Sequence, residues 1–100
     1  MTILNTTFFF APNIEEEGLS WINTEYLPLA QSTMGGCPVV MKVHNDVDTD
    51  GVAYAVQLSF SSMDDARAWA DKYAQDSYAT LAEAWPEMAF AVQTMLEVLD

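Results

Sequence analysis

The sequence is poor in basic side chains: it has three lysine and arginine residues against fifteen aspartate and glutamate residues, and its formal net charge is -12. A surface of that sign repels phosphate backbones and anionic lipid headgroups. We therefore expect neither a nucleic acid nor a membrane surface as a partner. Such a charge is typical of a soluble protein, and the alternative is an interaction module whose acidic side chains contact a basic protein.

Cysteine and long apolar segments are also scarce. Cys37 is the single cysteine, so the chain cannot form an internal disulfide. No basic residue precedes the run of three phenylalanines at residues 8-10, as it would in a signal peptide, and no apolar stretch approaches the length of a membrane span. These absences favour a cytoplasmic protein.

Motifs that bind metals, phosphates or cofactors are missing. The sequence has no nucleophile elbow, phosphate-binding loop or zinc signature. Asp46, Asp48 and Asp50 alternate as in a calcium loop, but Gln57 occupies the twelfth loop position, where an EF-hand has glutamate. The sequence therefore predicts no metal site and no cofactor, and it specifies no reaction.

What the sequence does contain is apolar and aromatic material for one core. Hydrophobic residues make up 51% of the 100-residue chain and aromatic residues 12%. A chain of this length can bury one two-layer core but is too short for a second core. We predict a single domain over residues 1-100. The clearest strand is residues 51-60, where large apolar side chains alternate with small or polar ones: Val52, Tyr54, Val56, Leu58 and Phe60.

The remaining segments predict a β-α-β-β-α-β order. Further strands are expected at residues 2-10, 37-44 and 89-99, which are rich in β-branched and aromatic side chains. This order predicts an α+β, ferredoxin-like two-layer sandwich with an antiparallel sheet in the order 4-1-3-2 and both helices on one face.

Local signals mark the ends of the helices. Asn13 is expected to cap the first helix and Pro28 to perturb its last turns. Ser62 and Asp65 have the spacing of a capping box for the second helix. A third helical piece at residues 77-85 either continues the second helix or is kinked away from it.

Short segments spread over the chain form a recognisable pattern: NTTF at 5-8, WI at 21-22, YLP at 26-28, YAVQ at 54-57, Trp69, and TMLEVL at 94-99. The pattern resembles a family of short bacterial domains of unknown function, the DUF4286-like proteins of Bacteroides-type bacteria. It covers nearly the whole chain in order and approximate spacing. Phe9 and Tyr26 depart from it, because histidine is expected at the first position and found in some members at the second.

The resemblance implies a fold similar to the dimeric α+β barrels, in which two sheets pack through their helix-free faces. That superfamily includes cofactor-independent monooxygenases, small-ring isomerases, haem-binding enzymes and proteins without known activity. Fold likeness therefore implies a homodimer but does not select a function.

Strand alternation predicts which residues line the helix-free face. Successive side chains of a strand point to opposite faces, and the larger apolar set is expected under the helices. The opposite face is then mixed, as expected for an interface around a cavity. Its predicted members are Asn5, Thr7, Phe9, Val40, Lys42, His44, Gln57, Ser59, Gln93, Met95 and Glu97. A bulge in the second strand would invert Lys42 and His44 together.

Five residues of this face are predicted to bind a small molecule: Asn5, Thr7, Lys42, Gln57 and Gln93. Their amide, hydroxyl and ammonium groups can orient a polar ligand. The structural alternatives are that the amides and hydroxyls satisfy one another across a dimer interface, and that Lys42 forms a cross-strand or intersubunit ion pair.

Three residues are candidates for catalysis if the protein is an enzyme. His44 could act as a general base near neutral pH, Glu97 could move a proton, and Gln57 could orient a carbonyl or hydroxyl group. Alternatively, His44 is solvated, Glu97 is ion-paired and Gln57 is a buried structural amide. The sequence thus predicts a homodimer that binds a small molecule on the helix-free face. The alternatives are a cofactor-independent oxygenase or isomerase-like enzyme and an acidic interaction module.

Overall fold

A computed structural model of the chain describes residues 1–34, 38–44 and 51–99. Four strands form one sheet: β1 (Thr2–Phe10), β2 (Val39–Val43), β3 (Val52–Phe60) and β4 (Ala89–Glu97). All neighbouring strands are antiparallel. Their order is β2-β3-β1-β4, which is 4-1-3-2 read from the β4 edge. Cys37 and the acidic turn at residues 45-50 lie outside the described residues.

Two helical runs connect the strands. The first consists of a 3-10 turn (Pro12–Ile14), α1 (Glu15–Trp21), a π-helical stretch (Ile22–Tyr26) and α2 (Leu27–Met34). The second consists of α3 (Met63–Trp69), a π-helical stretch (Ala70–Ala74) and α4 (Gln75–Ala84). The predicted third helical piece is therefore a continuation of the second helix. No helix in the described ranges is long and apolar enough to span a membrane.

The two predicted caps have different outcomes. Ser62 is the N-cap of α3, and its hydroxyl accepts a hydrogen bond from the Asp65 N–H, as predicted. Asn13 lies inside the 3-10 turn, and α1 begins after Ile14 without a side-chain cap, so the prediction for Asn13 was wrong. Three glutamates in the first turn of α1 instead stabilise its positive end.

Pro28 lies inside the first run rather than at its end. Its ring crowds the carbonyl four residues earlier, and it has no N–H to donate. The π-helical stretch directly precedes it, where the Leu27 N–H donates to the Ile22 carbonyl five residues back. This wider turn accommodates the proline, and α2 continues to Met34.

Both helical runs cover the same face of the sheet. The sheet contributes Leu4, Phe8, Phe10, Tyr54, Val56 and Leu58 to a single core, and the helices contribute Ile14, Ile22, Tyr26, Ala30, Trp69, Ala70, Ala74 and Leu81. Phe8 is fully buried, and its ring lies edge-to-face 4.9 Å from Tyr26 and 5.7 Å from Trp21. The faces predicted for β1 and β3 are therefore confirmed.

The faces predicted for β4 were wrong. Phe10 is paired with Ala89, and Phe9 with Phe90. The helix side therefore holds Ala89, Ala91, Gln93, Met95 and Glu97, and the other side holds Phe90, Val92, Thr94 and Leu96. A turn sets this register, because the Met88 N–H donates to the Trp85 carbonyl at 3.1 Å and the Ala11 N–H to the Met88 carbonyl at 2.8 Å. The prediction had placed the more apolar side chains of β4 under the helices, because it assumed that only one face of the sheet is apolar.

The faces predicted for β2 were also wrong. Val39 is paired with Gln57 and Met41 with Ala55, so these side chains and Val43 share the face away from the helices. Val40 packs against the core, and Lys42 lies on the same side. The ladder runs without a bulge, so the inversion comes from the pairing register and not from an inserted residue.

Candidate functional site

The sheet surface opposite the helices, here called the helix-free face, consists of four rows of side chains that cross the strands. The rows are Val43, Ala53, Phe9 and Phe90; Met41, Ala55, Thr7 and Val92; Val39, Gln57, Asn5 and Thr94; and Ser59, Ile3 and Leu96. None of these side chains carries a formal charge. In a chain of net charge -12, this face is a distinct surface.

The middle of this face is polar. Asn5 is paired with Gln57 on one side and with Thr94 on the other, and Thr7 follows on β1. Asn5 Nδ2 donates to Thr7 Oγ1 at 3.2 Å, which orients the Asn5 amide. Since directly paired Cβ atoms are about 5 Å apart, these four side chains form one continuous patch, the polar centre. Asn5, Thr7 and Gln57 were among the residues selected from the sequence. Thr94 was missed because its strand was assigned to the other face.

Exposed apolar side chains surround the polar centre. The exposed fractions on β4 are 60% for Phe90, 48% for Val92 and 44% for Leu96, and those on β2 are 52% for Val39 and 37% for Met41. The Phe90 ring stacks on Phe9 with centroids 4.6 Å apart. Exposed apolar side chains therefore lie on both edge strands of this face, on either side of the polar centre.

Lys42 lies away from this face, on the helix side of β2. Its Nζ is 3.2 Å from Oε1 of Glu15, the first residue of α1, and the Tyr54 hydroxyl donates to the same oxygen at 2.9 Å. The hydrogen bond from Tyr54, followed by that from Lys42, lowers the pKa of Glu15. Lys42 therefore forms an ion pair, with a helix residue rather than across strands. The pair is solvent-accessible, so its contribution to stability is small.

Gln93 also lies on the helix side, where it is paired with the fully buried Thr6. The Thr6 hydroxyl is 3.2 Å from the Tyr78 hydroxyl and 3.5 Å from the Tyr26 hydroxyl, which donates to it. Gln93 Nε2 and Trp21 Nε1 are buried, and neither has a hydrogen-bond partner among the described residues. A buried donor without an acceptor lowers stability, so Gln93 is placed at an energetic cost.

Gln93→Met is expected to raise the free energy of unfolding by about 1 kcal/mol, because it removes an unpaired buried amide and keeps the side-chain length. Chemical denaturation measures the change. Gln75→Met, at an exposed position on α4, is the control for the substitution itself. A loss of about 1 kcal/mol or more in Gln93→Met alone would show that the amide has a partner in solution.

Three partly or fully buried tyrosines make the fold sensitive to alkaline pH. Burial raises the pKa of Tyr26, Tyr54 and Tyr78 above the ordinary value of 10.0. The folded chain then keeps phenol protons that the unfolded chain releases. The associated stability is complete below pH 10.0 and is lost as the pH rises from there through the raised pKa values.

We therefore expect the free energy of unfolding to fall steeply above pH 10.0 in denaturant titrations. Tyr26→Phe should flatten this fall because it removes one of the titrating groups, whatever its effect at neutral pH. An identical alkaline slope in the wild type and in Tyr26→Phe would refute the assignment to Tyr26.

The three candidates for catalysis are not brought together by one chain. Val43, which precedes His44, lies in the row of Phe90, whereas Glu97 is seven residues further along β4. At about 3.3 Å per residue these rows are roughly 23 Å apart. In addition, the Glu97 side chain lies on the helix-covered side of the sheet, whereas Gln57 lies on the helix-free face.

In the described part of the chain, no group of three or more histidine, cysteine, aspartate or glutamate side chains is placed to hold a metal ion. Asp46, Asp48, Asp50 and Cys37 lie outside that part. The chemistry that remains on the helix-free face is neutral hydrogen bonding within an apolar surround.

Comparison with known proteins gives one relationship. No curated protein matches the chain, and no solved structure matches it. The family described as "Domain of unknown function (DUF4286)" matches residues 1–99. Since this match spans nearly every residue of the sequence, the chain belongs to the DUF4286 family.

Proposed function

We propose that this protein is a homodimer of ferredoxin-like domains that binds a small, uncharged, polar molecule between two helix-free faces. The observation that carries the proposal is the composition of that face: a polar centre surrounded by exposed apolar side chains, without a formal charge. Monomeric soluble proteins rarely expose large apolar side chains side by side, as Phe90, Val92 and Leu96 are exposed on β4.

Charge favours a second copy as the occupant of this face. Two chains of net charge -12 repel each other at long range, so they can associate only through a surface where carboxylates do not meet. The helix-free face is such a surface. A basic protein partner would gain most by docking on the carboxylates elsewhere, and this supports self-association over the acidic interaction module.

The size of the face suits a dimer. Three nine-residue strands and one of five residues form it. With strands about 4.8 Å apart and residues about 3.3 Å apart, its flat projection is roughly 500 Å². Side-chain relief increases the accessible area above that projection, toward the roughly 800 Å² per partner of a standard interface. A two-fold axis would place each apolar surround against its copy.

The polar centre indicates the class of ligand. Asn5 and Gln57 carry amides, Thr7 and Thr94 carry hydroxyls, and all four offer both donors and acceptors. Buried between two sheets, these groups require partners, because an unpaired amide there would cost about 1 to 3 kcal/mol. A small molecule with carbonyl and hydroxyl or amide groups supplies them. No charged group is present to bind an ion, so the ligand is neutral.

Native mass spectrometry of the protein purified from cells tests the proposal. We expect a species of twice 11.1 kDa that carries a small adduct, and the adduct should be released on denaturation. Gln57→Leu should retain the dimer and lose the adduct, because it removes an amide and keeps an apolar surface. Gln75→Leu, exposed on α4, is the matched control. A dimer without an adduct would contradict ligand binding, and a monomer would contradict both parts.

A further inference from the structure

We propose a second binding site, for an elongated zwitterion, in the groove between α3 and the end of β3. The groove has a volume of about 400 Å³, and its lining includes Phe60, Trp69, Tyr73, Asp65 and Lys72. It lies beside the second helical run and contains none of the four residues of the polar centre. Ser59 is the one lining residue that also belongs to the helix-free face, and the proposal uses neither Ser59 nor the ligand of the dimer.

Three aromatic rings form an apolar wall of the groove. The Trp69 ring centroid is 6.1 Å from that of Phe60 and 5.7 Å from that of Tyr73. Trp69 Nε1 donates to Thr33 Oγ1 of α2 at 2.8 Å, so the indole is held in place before a ligand arrives. A preorganised aromatic surface binds the apolar middle of a small molecule at little entropic cost.

The groove lining carries one side chain of each charge, Asp65 and Lys72. Asp65 and Lys72 are seven positions apart on one helical run, an axial separation of roughly 10 Å. Ala68, between them in the lining, leaves the space open. Asp65 accepts a hydrogen bond from the Ser61 hydroxyl at 2.8 Å, which orients its carboxylate. Lys72 Nζ lies 5.3 Å from the Tyr73 ring centroid, and no described carboxylate is within ion-pair distance of it.

This arrangement selects a molecule with charges at both ends. An ammonium group can pair with Asp65 and a carboxylate with Lys72, while the apolar segment between them lies on the aromatic wall. The net charge of -12 disfavours a simple anion at long range, whereas a zwitterion has no net charge to repel. A simple cation would satisfy Asp65 but leave Lys72 unpaired.

Nuclear magnetic resonance of the Trp69 indole N–H tests the site, with the signal assigned by its loss in Trp69→Phe. The probes are 6-aminohexanoate, hexylamine and hexanoate, which share a chain length and differ in their charged ends. We expect a saturable shift with 6-aminohexanoate and about fivefold weaker binding of either analogue, since one exposed ion pair contributes at most about 1 kcal/mol.

Lys72→Gln should weaken the binding of 6-aminohexanoate by about fivefold, to the affinity of hexylamine for the wild type. Arg67→Gln removes the same charge from an exposed position on α3 outside the groove lining, and it should leave binding unchanged. Equal binding of all three probes, a shift that does not saturate, or equal weakening by both substitutions would overturn the proposal.

Discussion

Val92→Glu is expected to dissociate the proposed homodimer while leaving each chain folded. Val92 lies near the middle of β4 with 48% of its surface exposed, so a glutamate there has room in the single chain. In a two-fold dimer the substitution places two carboxylates in an interface that has no cation to pair with them. Burying an unpaired charge costs several kcal/mol, and the dissociation constant should rise by about a hundredfold or more.

Sedimentation velocity over a range of concentrations measures this effect, with circular dichroism as the check of folding. Ala79→Glu adds the same charge at an exposed position on α4, away from the sheet, and should remain a dimer. If Val92→Glu sediments as the wild type does, the helix-free face is not the interface. If both variants dissociate, net charge rather than the face controls association.

Gly18→Ala is expected to lower the free energy of unfolding by about 2 kcal/mol. Gly18 is buried in α1, and a Cβ there would lie 2.6 to 2.7 Å from three ring atoms of Phe10. Phe10 is 1% exposed and lies edge-to-face with Trp85, so its ring cannot move freely. Overpacking costs about 1 to 3 kcal/mol or more, whereas alanine gains only about 1 kcal/mol over glycine in a helix.

A double-mutant cycle with Phe10→Leu separates the clash from other effects of Gly18→Ala. Leucine is smaller than phenylalanine at the point of contact, so Gly18→Ala should cost less in the Phe10→Leu background. Ser20→Ala, at an exposed position on α1, serves as the control for alanine in the same helix. Equal costs of Gly18→Ala in both backgrounds would show that the Phe10 contact is not the cause.

The sequence predicted the central strands well because their alternation is unambiguous. In β3, large apolar side chains occupy one parity and the other carries only alanine, glutamine and serine, so the helices can cover only one side. The Ser62 cap was predictable for a similar reason, since its side chain acts on a backbone N–H three residues away. Local chemistry decides such features, and the sequence records it directly.

The faces of β2 and β4 could not be predicted by the same reasoning. On β4, Phe90, Val92 and Leu96 make the more apolar parity, yet they lie away from the helices. The rule that the larger apolar set faces the core fails when the opposite face is itself an apolar surface. The pairing of Phe9 with Phe90 depends on the turn at Trp85–Met88 and on Ala11, far from the strand in sequence.

This inversion changed the candidate site. It removed Lys42 and Gln93 from the helix-free face and added Thr94 and the exposed apolar side chains of both edge strands. A mixed, partly charged surface became an uncharged one. Asn5, Thr7 and Gln57 stayed together because they lie on the two strands whose faces were predicted correctly.

An isotope-filtered nuclear Overhauser experiment on a mixture of labelled and unlabelled chains tests the central claim most directly. It detects contacts between two copies only. We predict intermolecular signals from the methyl groups of Val39, Met41, Val92 and Leu96 on the helix-free face. Intermolecular signals that come only from the helices would contradict the account. The absence of any intermolecular signal, together with a measured mass of one chain, would also contradict it.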